Sequence, residues 1–388
     1  MRILVTHPGR QHSHQAALGL HAAGMLAGYW SGVPATEEDL LRMPGPLRRR
    51  FVRYAPVPLP PETARWFPWT PALRRAGDAL LPRTAAARTD FAACRLFDRW
   101  TARGLSRLRP DAVIACEISA LDTFREARRL GIAAILDAPS IHHKAQDRLH
   151  GTADPQDLHG RITDVKDAEI ALADHVLTVS ELARQTYVEA GVPEEKVHAV
   201  TLGVDTELFT PGEGGTGPVT FLFSGATIRR KGFDLLLAAF DRVPEARLRI
   251  VGSRGDLGHL LDGRSPDRIT FVGPVPQPKL AEELRRADCL VLPSRNDSYG
   301  MVVAEALASG TPVLVSEMVG SKNLVTEGKT GWIVPVEDVE ALTRRLLWCA
   351  ENPDALRALR PACREAAEEA TWPAYHRRLT ELLWRLLA

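Results

Sequence analysis

Two acidic residues, Asp297 and Glu305, stand eight positions apart in a stretch whose residue types are suited to carbohydrate recognition. The stretch opens with the apolar run 289–292, which has the length of a buried parallel strand. A polar loop follows, and residues 301–309 are good helix formers with Gly310 placed as a stop. Carboxylates on both sides of a glycine-containing loop can accept hydrogen bonds from a polyol, while amides of the following helix N-terminus face an anion. The combination suits a sugar nucleotide.

A cationic turn is the second stretch with clear chemical potential. Residues 225–232 read Gly-Ala-Thr-Ile-Arg-Arg-Lys-Gly and follow a strand-like run. Gly225 opens the turn, and Arg229, Arg230 and Lys231 place three adjacent positive charges in it. Such a turn can neutralise a diphosphate, and its backbone amides add further donors. The alternative is a basic loop that caps a helix, and the acidic pair in the same chain favours the diphosphate interpretation.

The N-terminus predicts a strand over residues 2–6, then a glycine turn and a helix. This order puts the turn at the carboxyl end of a sheet, where doubly wound folds bind ligands. Gly9 and Arg10 are therefore binding candidates. His12 and His14 follow them, and we interpret each as part of a solvated helix start.

A histidine pair follows a later predicted strand. The strand covers 133–136 and is followed by Asp137 and, in the same loop, by His142 and His143. Each histidine lies beyond a strand's carboxyl end and is a site candidate, and Asp137 is a third. The spacing does not choose between the two histidines, and a polar loop without a ligand fits either of them equally well.

The element order predicts an α/β protein with two doubly wound Rossmann-like domains and a binding cleft between them. A Gly/Pro cluster at 211–218 is the clearest boundary, because such clusters form connections rather than regular structure. The predicted parts are an N-terminal domain 1–205, a linker 206–218, a C-terminal domain 219–370 and a terminal helix segment 371–388.

The acidic stretch resembles the signature of the retaining glycosyltransferases of family 4, the GT-B group 1 enzymes. That signature is Pro-Ser, a few residues, and then two glutamates with seven residues between them around a Gly-aromatic-Gly turn. The cationic turn resembles the diphosphate-binding pattern of the same family, Gly-Arg followed later by Lys-Gly. Here the first acid is Asp297, the turn begins with Ser298, and Ala226 stands where the family has arginine. The resemblance covers nearly all of 110–388, weakens before residue 40 and is absent from 41–109.

The resemblance implies a GT-B fold, with two domains facing across a cleft and a C-terminal helix crossing back to the N-terminal domain. It implies transfer of a hexose-type sugar from a nucleotide diphosphate-sugar to a glycan, lipid-linked or small-molecule acceptor, without metal or cofactor. Glu305 would bind the ribose hydroxyls and Asp297 the transferred sugar. Lys231, helped by Arg230, would stabilise the leaving diphosphate, whose own oxygen would accept the acceptor's proton.

Further binding positions follow from the same resemblance. One of His142 and His143 would lie near the sugar, and the first glycine loop would face the acceptor and the phosphates. The remaining implied contacts are mostly with backbone groups, and they involve Gly9, Arg10, Gly225, Gly273, Val275, Ser298, Tyr299, Gly300, Met301 and Val302. Gly273 and Val275 would hold the nucleobase, and the amides of 300–302 would face the diphosphate.

Two other classes of function remain open. A sugar-nucleotide epimerase of the same architecture would act without an acceptor, and a noncatalytic sugar-nucleotide-binding protein would neither transfer nor hydrolyse. The identity of the base (UDP, GDP or ADP), the sugar, the acceptor and the oligomeric state do not follow from the sequence.

Composition indicates a soluble globular protein, with 45% hydrophobic and 25% charged residues among 388. No apolar run approaches the roughly 18 residues needed to span a bilayer, and no signal peptide is evident. The five cysteines lack metal-ligand spacing, and there is no Asp-x-Asp motif. We therefore expect a cytoplasmic protein without a metal ion.

The N-terminal part is basic. Residues 1–110 contain 17 Arg, no Lys and 7 acidic residues, a local charge of about +10 in a chain of net charge +1. In 42–75 the arginines alternate with aromatic residues, which indicates peripheral contact with an anionic membrane at its inner face or with a lipid-linked acceptor. The alternative is a solvated basic helix with ordinary core tryptophans. No stacking motif supports binding of nucleic acid.

Overall fold

The computed structural model describes residues 1–41, 48, 51, 56–150, 158–215 and 217–388. The chain divides into two compact units. Unit 1 comprises Met1–Thr178, Arg184–Val200 and Tyr375–Ala388, and unit 2 comprises Val179–Ala183 and Thr201–Ala374. Each unit contains one parallel sheet with helices, so the predicted α/β class is confirmed.

Seven strands form the parallel sheet of unit 1. They are β1 (Ile3–His7), β2 (Leu26–Ser31), β3 (Ala64–Trp66), β4 (Ala112–Cys116), β5 (Ala133–Ala138), β6 (His175–Thr178) and β7 (Val197–Ala199). Their order is β3-β2-β1-β4-β5-β6-β7. The order reverses between β1 and β4, and this reversal is the kind of switch point at which α/β sheets bind ligands.

Eight helices lie before residue 200 in the described part of the chain. They are α1 (Ser13–Ala22), α2 (Glu37–Leu41), α3 (Trp69–Leu80), α4 (Arg83–Leu108), α5 (Leu121–Leu130), α6 (His143–His150), α7 (Leu158–Leu172) and α8 (Glu181–Glu189). The central strand β4 reads Ala-Val-Ile-Ala-Cys and is buried throughout, as expected of a parallel strand covered on both faces.

Unit 2 has a six-stranded parallel sheet. Its strands are β8 (Thr220–Ser224), β9 (Arg247–Val251), β10 (Ile269–Gly273), β11 (Cys289–Leu292), β12 (Val313–Ser316) and β13 (Gly331–Val334). Their order is β10-β9-β8-β11-β12-β13, so the switch point lies between β8 and β11. The two stretches singled out in the sequence follow these two strands.

The helices after residue 200 begin with α9 and end with the C-terminal helix. They are α9 (Phe233–Phe240), α10 (Gln277–Arg286), α11 (Met301–Ala308), α12 (Val339–Glu351), α13 (Pro353–Arg357), α14 (Arg360–Glu368) and α15 (Trp372–Leu387). Most of α15 belongs to unit 1, where His376 Nε2 lies 3.0 Å from Gln15 Oε1 on α1. The C-terminal helix therefore packs on the N-terminal unit, as expected.

Part of the basic and aromatic region 42–75 lies outside the described residues, namely 42–47, 49–50 and 52–55. Within the described part, Phe51 packs against Trp66 with ring centroids 6.4 Å apart, in a small core cluster with Val33 and Leu40. Trp69, at the start of α3, is 63% exposed. In the described portion of the chain, the helices are too short or too polar to cross a membrane.

Candidate functional site

Two loops meet at the switch point of the unit 2 sheet. The cationic turn follows β8, and the acidic loop follows β11. Arg295 N donates to Arg230 O at 2.9 Å, and Arg230 Nη1 donates to Asn296 O at 3.0 Å. The two predicted stretches are therefore one structural element, although they are far apart in the sequence.

Lys231 and Asp297 form an ion pair within this element. The ammonium of Lys231 donates a hydrogen bond to Asp297 Oδ2, and the two side chains are 17% and 12% exposed. The stem of Lys231 runs past Gly225, 3.9 Å from where a Cβ on that glycine would lie. The sequence predicted a role for both side chains but not their contact. In this structure the ammonium of Lys231 and the carboxylate of Asp297 neutralise each other.

Gly300 forms the junction between the acidic loop and α11. Its φ of +81° is in the left-handed region, and a Cβ there would lie 2.8 Å from Val319 Cγ1. Glycine alone adopts such a conformation readily. The first turn of α11 starts at Met301, and the amides of a first turn have no partner within their own helix. The predicted positions Met301 and Val302 thus supply donors and a positive helix end beside the ion pair.

Gly300→Ala is expected to lower the free energy of unfolding by about 2 kcal/mol, because alanine there is strained and crowds Val319. The matched control is Gly328→Ala. Gly328 has a similar φ of +72°, but nothing lies within 4 Å of its Cβ position, so it should lose only about 1 kcal/mol. Urea denaturation measures both changes, and equal losses would show that the contact with Val319 is unimportant.

Glu305 lies in the second turn of α11 and is 6% exposed. Its carboxylate makes no hydrogen bond or ion pair with any described residue. Burial raises the pKa of Glu305 to about 7. A nearly buried carboxylate without a protein partner is an acceptor suited to hydroxyl donors of a ligand.

Arg295 is a residue of this site that the sequence analysis missed. It is 7% exposed and donates to Arg229 O at 2.6 Å and to both carboxylate oxygens of Asp234 at 2.7 and 2.9 Å. It also donates to Glu337, whose φ is +63°. The hydrogen bonds to Asp234 raise the pKa of Arg295. The available signal was a cation three positions after a buried strand, in a region where a buried charge needs a partner.

Arg295→Lys is expected to lower the free energy of unfolding by about 1–3 kcal/mol, because lysine keeps the charge but lacks the planar set of donors. The control is Arg254→Lys, at an arginine whose side chain is 50% exposed and pairs with Asp262. That change should stay within about 0.5 kcal/mol. Denaturant unfolding measures both changes. An unchanged free energy of unfolding in Arg295→Lys would mean that the planar guanidinium does not stabilise the turn.

Four further predicted residues of unit 2 lie in the acidic loop or after β10. The Tyr299 hydroxyl donates to Leu202 O at 2.6 Å, and Ser298 O accepts from Ser180 Oγ at 2.6 Å. Both contacts anchor the acidic loop within unit 2. Gly273 ends β10, two strands from β8, and the half-buried Val275 follows it.

Unit 1 brings Gly9 and Arg10 together with buried histidines. Gly9 N donates to His7 Nδ1 at 2.8 Å, and Arg10 O accepts from Ser13 N at 3.1 Å. Burial lowers the pKa of His7 to about 4. The sequence analysis did not predict that His7 is buried at the end of β1. The apolar run before His7 could have indicated that the strand, with its last residue, is buried.

The interpretation of His12 as part of a solvated helix start is wrong. Its side chain is 10% exposed, and Nε2 lies 3.1 Å from Asp137 Oδ1. Burial alone would lower the pKa of His12, but the charge and hydrogen bond of Asp137 together raise it. Burial likewise opposes ionisation of Asp137, yet His12 and His7 lower its pKa. The pair joins the loop after β1 to the end of β5.

His142 and His143 are both buried, and their ring centroids are 4.1 Å apart. His142 N donates to Thr186 Oγ1 at 2.9 Å. Burial lowers the pKa of both imidazoles, that of His142 to about 3. Together with Asp167 they place three ligand atoms within 4.8 Å of one another, so the described residues include a group that could hold a metal ion.

Comparisons with known proteins give a family match that lies within unit 2. Residues 206–370 match the family model described as Glycosyl transferases group 1. The D-inositol 3-phosphate glycosyltransferase 1 of Catenulispora acidiphila is 30% identical, over 61% of this chain and 60% of that protein. The D-inositol 3-phosphate glycosyltransferase of Kribbella flavida is 31% identical, over 52% and 54% respectively. The chain thus spans less than two thirds of the length of these relatives.

Solved structures of other proteins align with nearly the whole chain. Sucrose-phosphate synthase from Thermosynechococcus elongatus has a TM-score of 0.76 and 21% identity, over 100% of this chain and 99% of that one. Anabaena Alr3699/HepE in complex with UDP has a TM-score of 0.71 and 13% identity, over 99% and 100%. At these identities the likeness concerns the fold, which is GT-B, as expected.

Proposed function

We propose that the chain is a retaining glycosyltransferase of group 1, which moves a hexose-type sugar from a nucleotide diphosphate-sugar to an acceptor hydroxyl. The observation that carries the proposal is the ion pair of Lys231 and Asp297 beside the N-terminus of α11. One helical turn later lies the buried carboxylate of Glu305, which has no partner among the described residues. The family match over 206–370 supports the same activity.

Unit 2 would bind the donor. Lys231, Arg230 and the first amides of α11 offer positive charge and N–H donors for a diphosphate. Glu305 would accept hydrogen bonds from the ribose, and Asp297 from the transferred sugar. The complexes of Anabaena Alr3699/HepE with UDP and with UDP-glucose make a uridine donor the first to test.

The chemistry would need no metal ion at the diphosphate. The bond from the anomeric carbon to the phosphate oxygen breaks, and the leaving diphosphate takes that electron pair while Lys231 and the helix amides stabilise its charge. The acceptor oxygen bonds to the same face of the anomeric carbon and passes its proton to the leaving phosphate. Configuration is retained, and no cofactor takes part.

The acceptor would be a polyol, whether free, part of a glycan or lipid-linked. The names of the inositol 3-phosphate glycosyltransferases support a small phosphorylated polyol as the first acceptor to test. The positive charge of residues 1–110 is consistent with an anionic acceptor.

A donor screen followed by product analysis tests the function. Thermal-shift measurements against UDP-, GDP- and ADP-sugars should identify one stabilising nucleotide. Incubation of that donor with inositol 3-phosphate should yield a glycoside with the donor's anomeric configuration. An altered sugar nucleotide formed without acceptor would identify an epimerase. Binding without transfer or hydrolysis across an acceptor panel would identify a noncatalytic protein.

Peripheral contact with an anionic membrane on its inner face, through 42–75, is a second part of the proposal. Among the described residues of that region, the exposed Trp69 supports it. Vesicles containing anionic phospholipid should co-sediment the full chain at low salt, and Trp69→Ala should weaken this. Equal recovery in the supernatant with and without vesicles would exclude the contact.

A further inference from the structure

The buried histidine pair after β5 lies against a carboxylate of α7. His143 is 5% exposed, and its Nε2 has no hydrogen-bond partner among the described residues. Asp167 Oδ1 lies only 3.0 Å from that nitrogen, although the angle does not suit a hydrogen bond. Two ligand atoms that lie close together without a hydrogen bond between them are arranged as expected when both point toward a bound metal ion.

The second imidazole completes the group. The ring of His142 lies beside that of His143, with an interplanar angle of 31°, and it is 2% exposed. Ligand atoms of the two histidines and Asp167 all lie within 4.8 Å of one another. Two atoms bound to one Zn²⁺ at about 2.0–2.1 Å lie roughly 3.3 Å apart, so small side-chain rotations bring all three into range.

We propose that His142, His143 and Asp167 form a binding site for Zn²⁺ in unit 1. Two imidazoles and one carboxylate are ligands that Zn²⁺ accepts, with a fourth position left for water. Mg²⁺ would be rejected, since it requires oxygen ligands. The ion would join the start of α6 to α7. This inference is independent of the proposed transferase activity, and its tests measure metal binding alone.

Nearby cations would compete with the ion. Lys144 Nζ is 4.0 Å from Asp167 Oδ1, but its side chain is 56% exposed and can turn into solvent. Lys166 is already paired with Glu117 Oε2 at 3.0 Å. Zn²⁺ would therefore replace Lys144 as the partner of Asp167 while the buried pair of Lys166 stays intact.

The test uses the untagged full chain, stripped with chelator and dialysed. Isothermal titration with ZnCl₂, together with elemental analysis, should give one ion per chain. His143→Ala and Asp167→Asn should weaken binding at least tenfold, and MgCl₂ should give no heat. Lys144→Ala should strengthen Zn²⁺ binding roughly two- to fivefold, since it removes a competing charge. Asp167→Asn is the safer variant for folding, because Asp167 is 46% exposed on its helix.

The matched control is His159→Ala. His159 Nε2 also lacks a hydrogen bond and lies 2.9 Å from a carboxylate, that of Asp147. Among the described residues no third ligand atom lies close to this pair, so this variant should bind Zn²⁺ within twofold of wild type. The proposal fails if wild type binds no Zn²⁺, or if His159→Ala weakens binding as much as His143→Ala does.

Discussion

Lys231→Ala is expected to lower kcat for glycosyl transfer by about 10²–10³-fold, equivalent to about 2.7–4 kcal/mol of transition-state stabilisation. The side chain of Lys231 is only 17% exposed. In the proposed reaction, negative charge on the leaving diphosphate would develop beside its ammonium as the bond from the sugar to the phosphate breaks. Steady-state kinetics with a saturating donor isolates kcat, and calorimetry gives the nucleotide affinity separately.

The control for Lys231 is Lys279→Ala on α10, where the side chain is 42% exposed and pairs with Glu282. Its kcat should match wild type. Lys231→Ala leaves Asp297 without its ion-pair partner, which could destabilise the fold. The double variant Lys231→Ala/Asp297→Asn removes both charges, and comparing the unfolding free energies of the two variants shows how much the unpaired carboxylate costs. A folded Lys231→Ala protein with near-wild-type kcat would refute the assignment.

Glu305→Gln is expected to have opposite effects on stability and on binding. The folded-state pKa of Glu305 is raised to about 7 from 4.5. A raised carboxyl pKa contributes stability below pH 4.5, and this contribution is lost as pH rises through 7. The lost contribution amounts to about 3 kcal/mol in all. Glutamine does not ionise, so the ligand-free variant should gain about 2.5 kcal/mol relative to wild type between pH 5 and pH 8.

Nucleotide binding should change in the other direction. In the proposed complex the ionised carboxylate would accept hydrogen bonds from two ribose hydroxyls better than an amide would. Glu305→Gln should therefore weaken nucleotide binding at pH 8 by at least tenfold. Wild-type affinity should itself rise roughly tenfold from pH 6 to pH 8 as Glu305 ionises. Urea unfolding and calorimetry at the two pH values measure both effects.

Glu351→Gln, at an exposed position on α12, serves as the control for the same substitution. Its stability should follow the wild-type pH profile, and its nucleotide affinity should be unchanged. If Glu305→Gln and wild type show parallel pH profiles of unfolding, the carboxylate is not the titrating group. Unchanged affinity in Glu305→Gln would argue against the ribose role.

Local patterns were enough to predict much of the fold. The run 289–292 and the helix formers after it became β11 and α11, because strand length and helix propensity are properties of neighbouring residues. Likewise, the alternation of short apolar runs with helical patterns predicted two parallel sheets. The predicted terminal helix segment, 371–388, contains α15.

Contacts between distant segments were not predictable in this way. Lys231 and Asp297 are 66 positions apart, and they meet because β8 and β11 are neighbours in the sheet. The same applies to His12 and Asp137, which are 125 positions apart on the loop after β1 and on β5. The strand order brings such residues together, and periodicity along the chain does not contain that order.

The ion pair of Lys231 and Asp297 implies that, in the proposed donor, the sugar and the diphosphate would each favour the binding of the other. A free sugar would have to remove Asp297 from Lys231 without offering the lysine a new anion. A diphosphate offers that anion, and its arrival frees the carboxylate for the sugar hydroxyls. An intact sugar nucleotide should therefore bind more tightly than its separate parts predict. After transfer in the proposed reaction, Asp297 would pair with Lys231 again and would thereby compete with the nucleoside diphosphate for the ammonium.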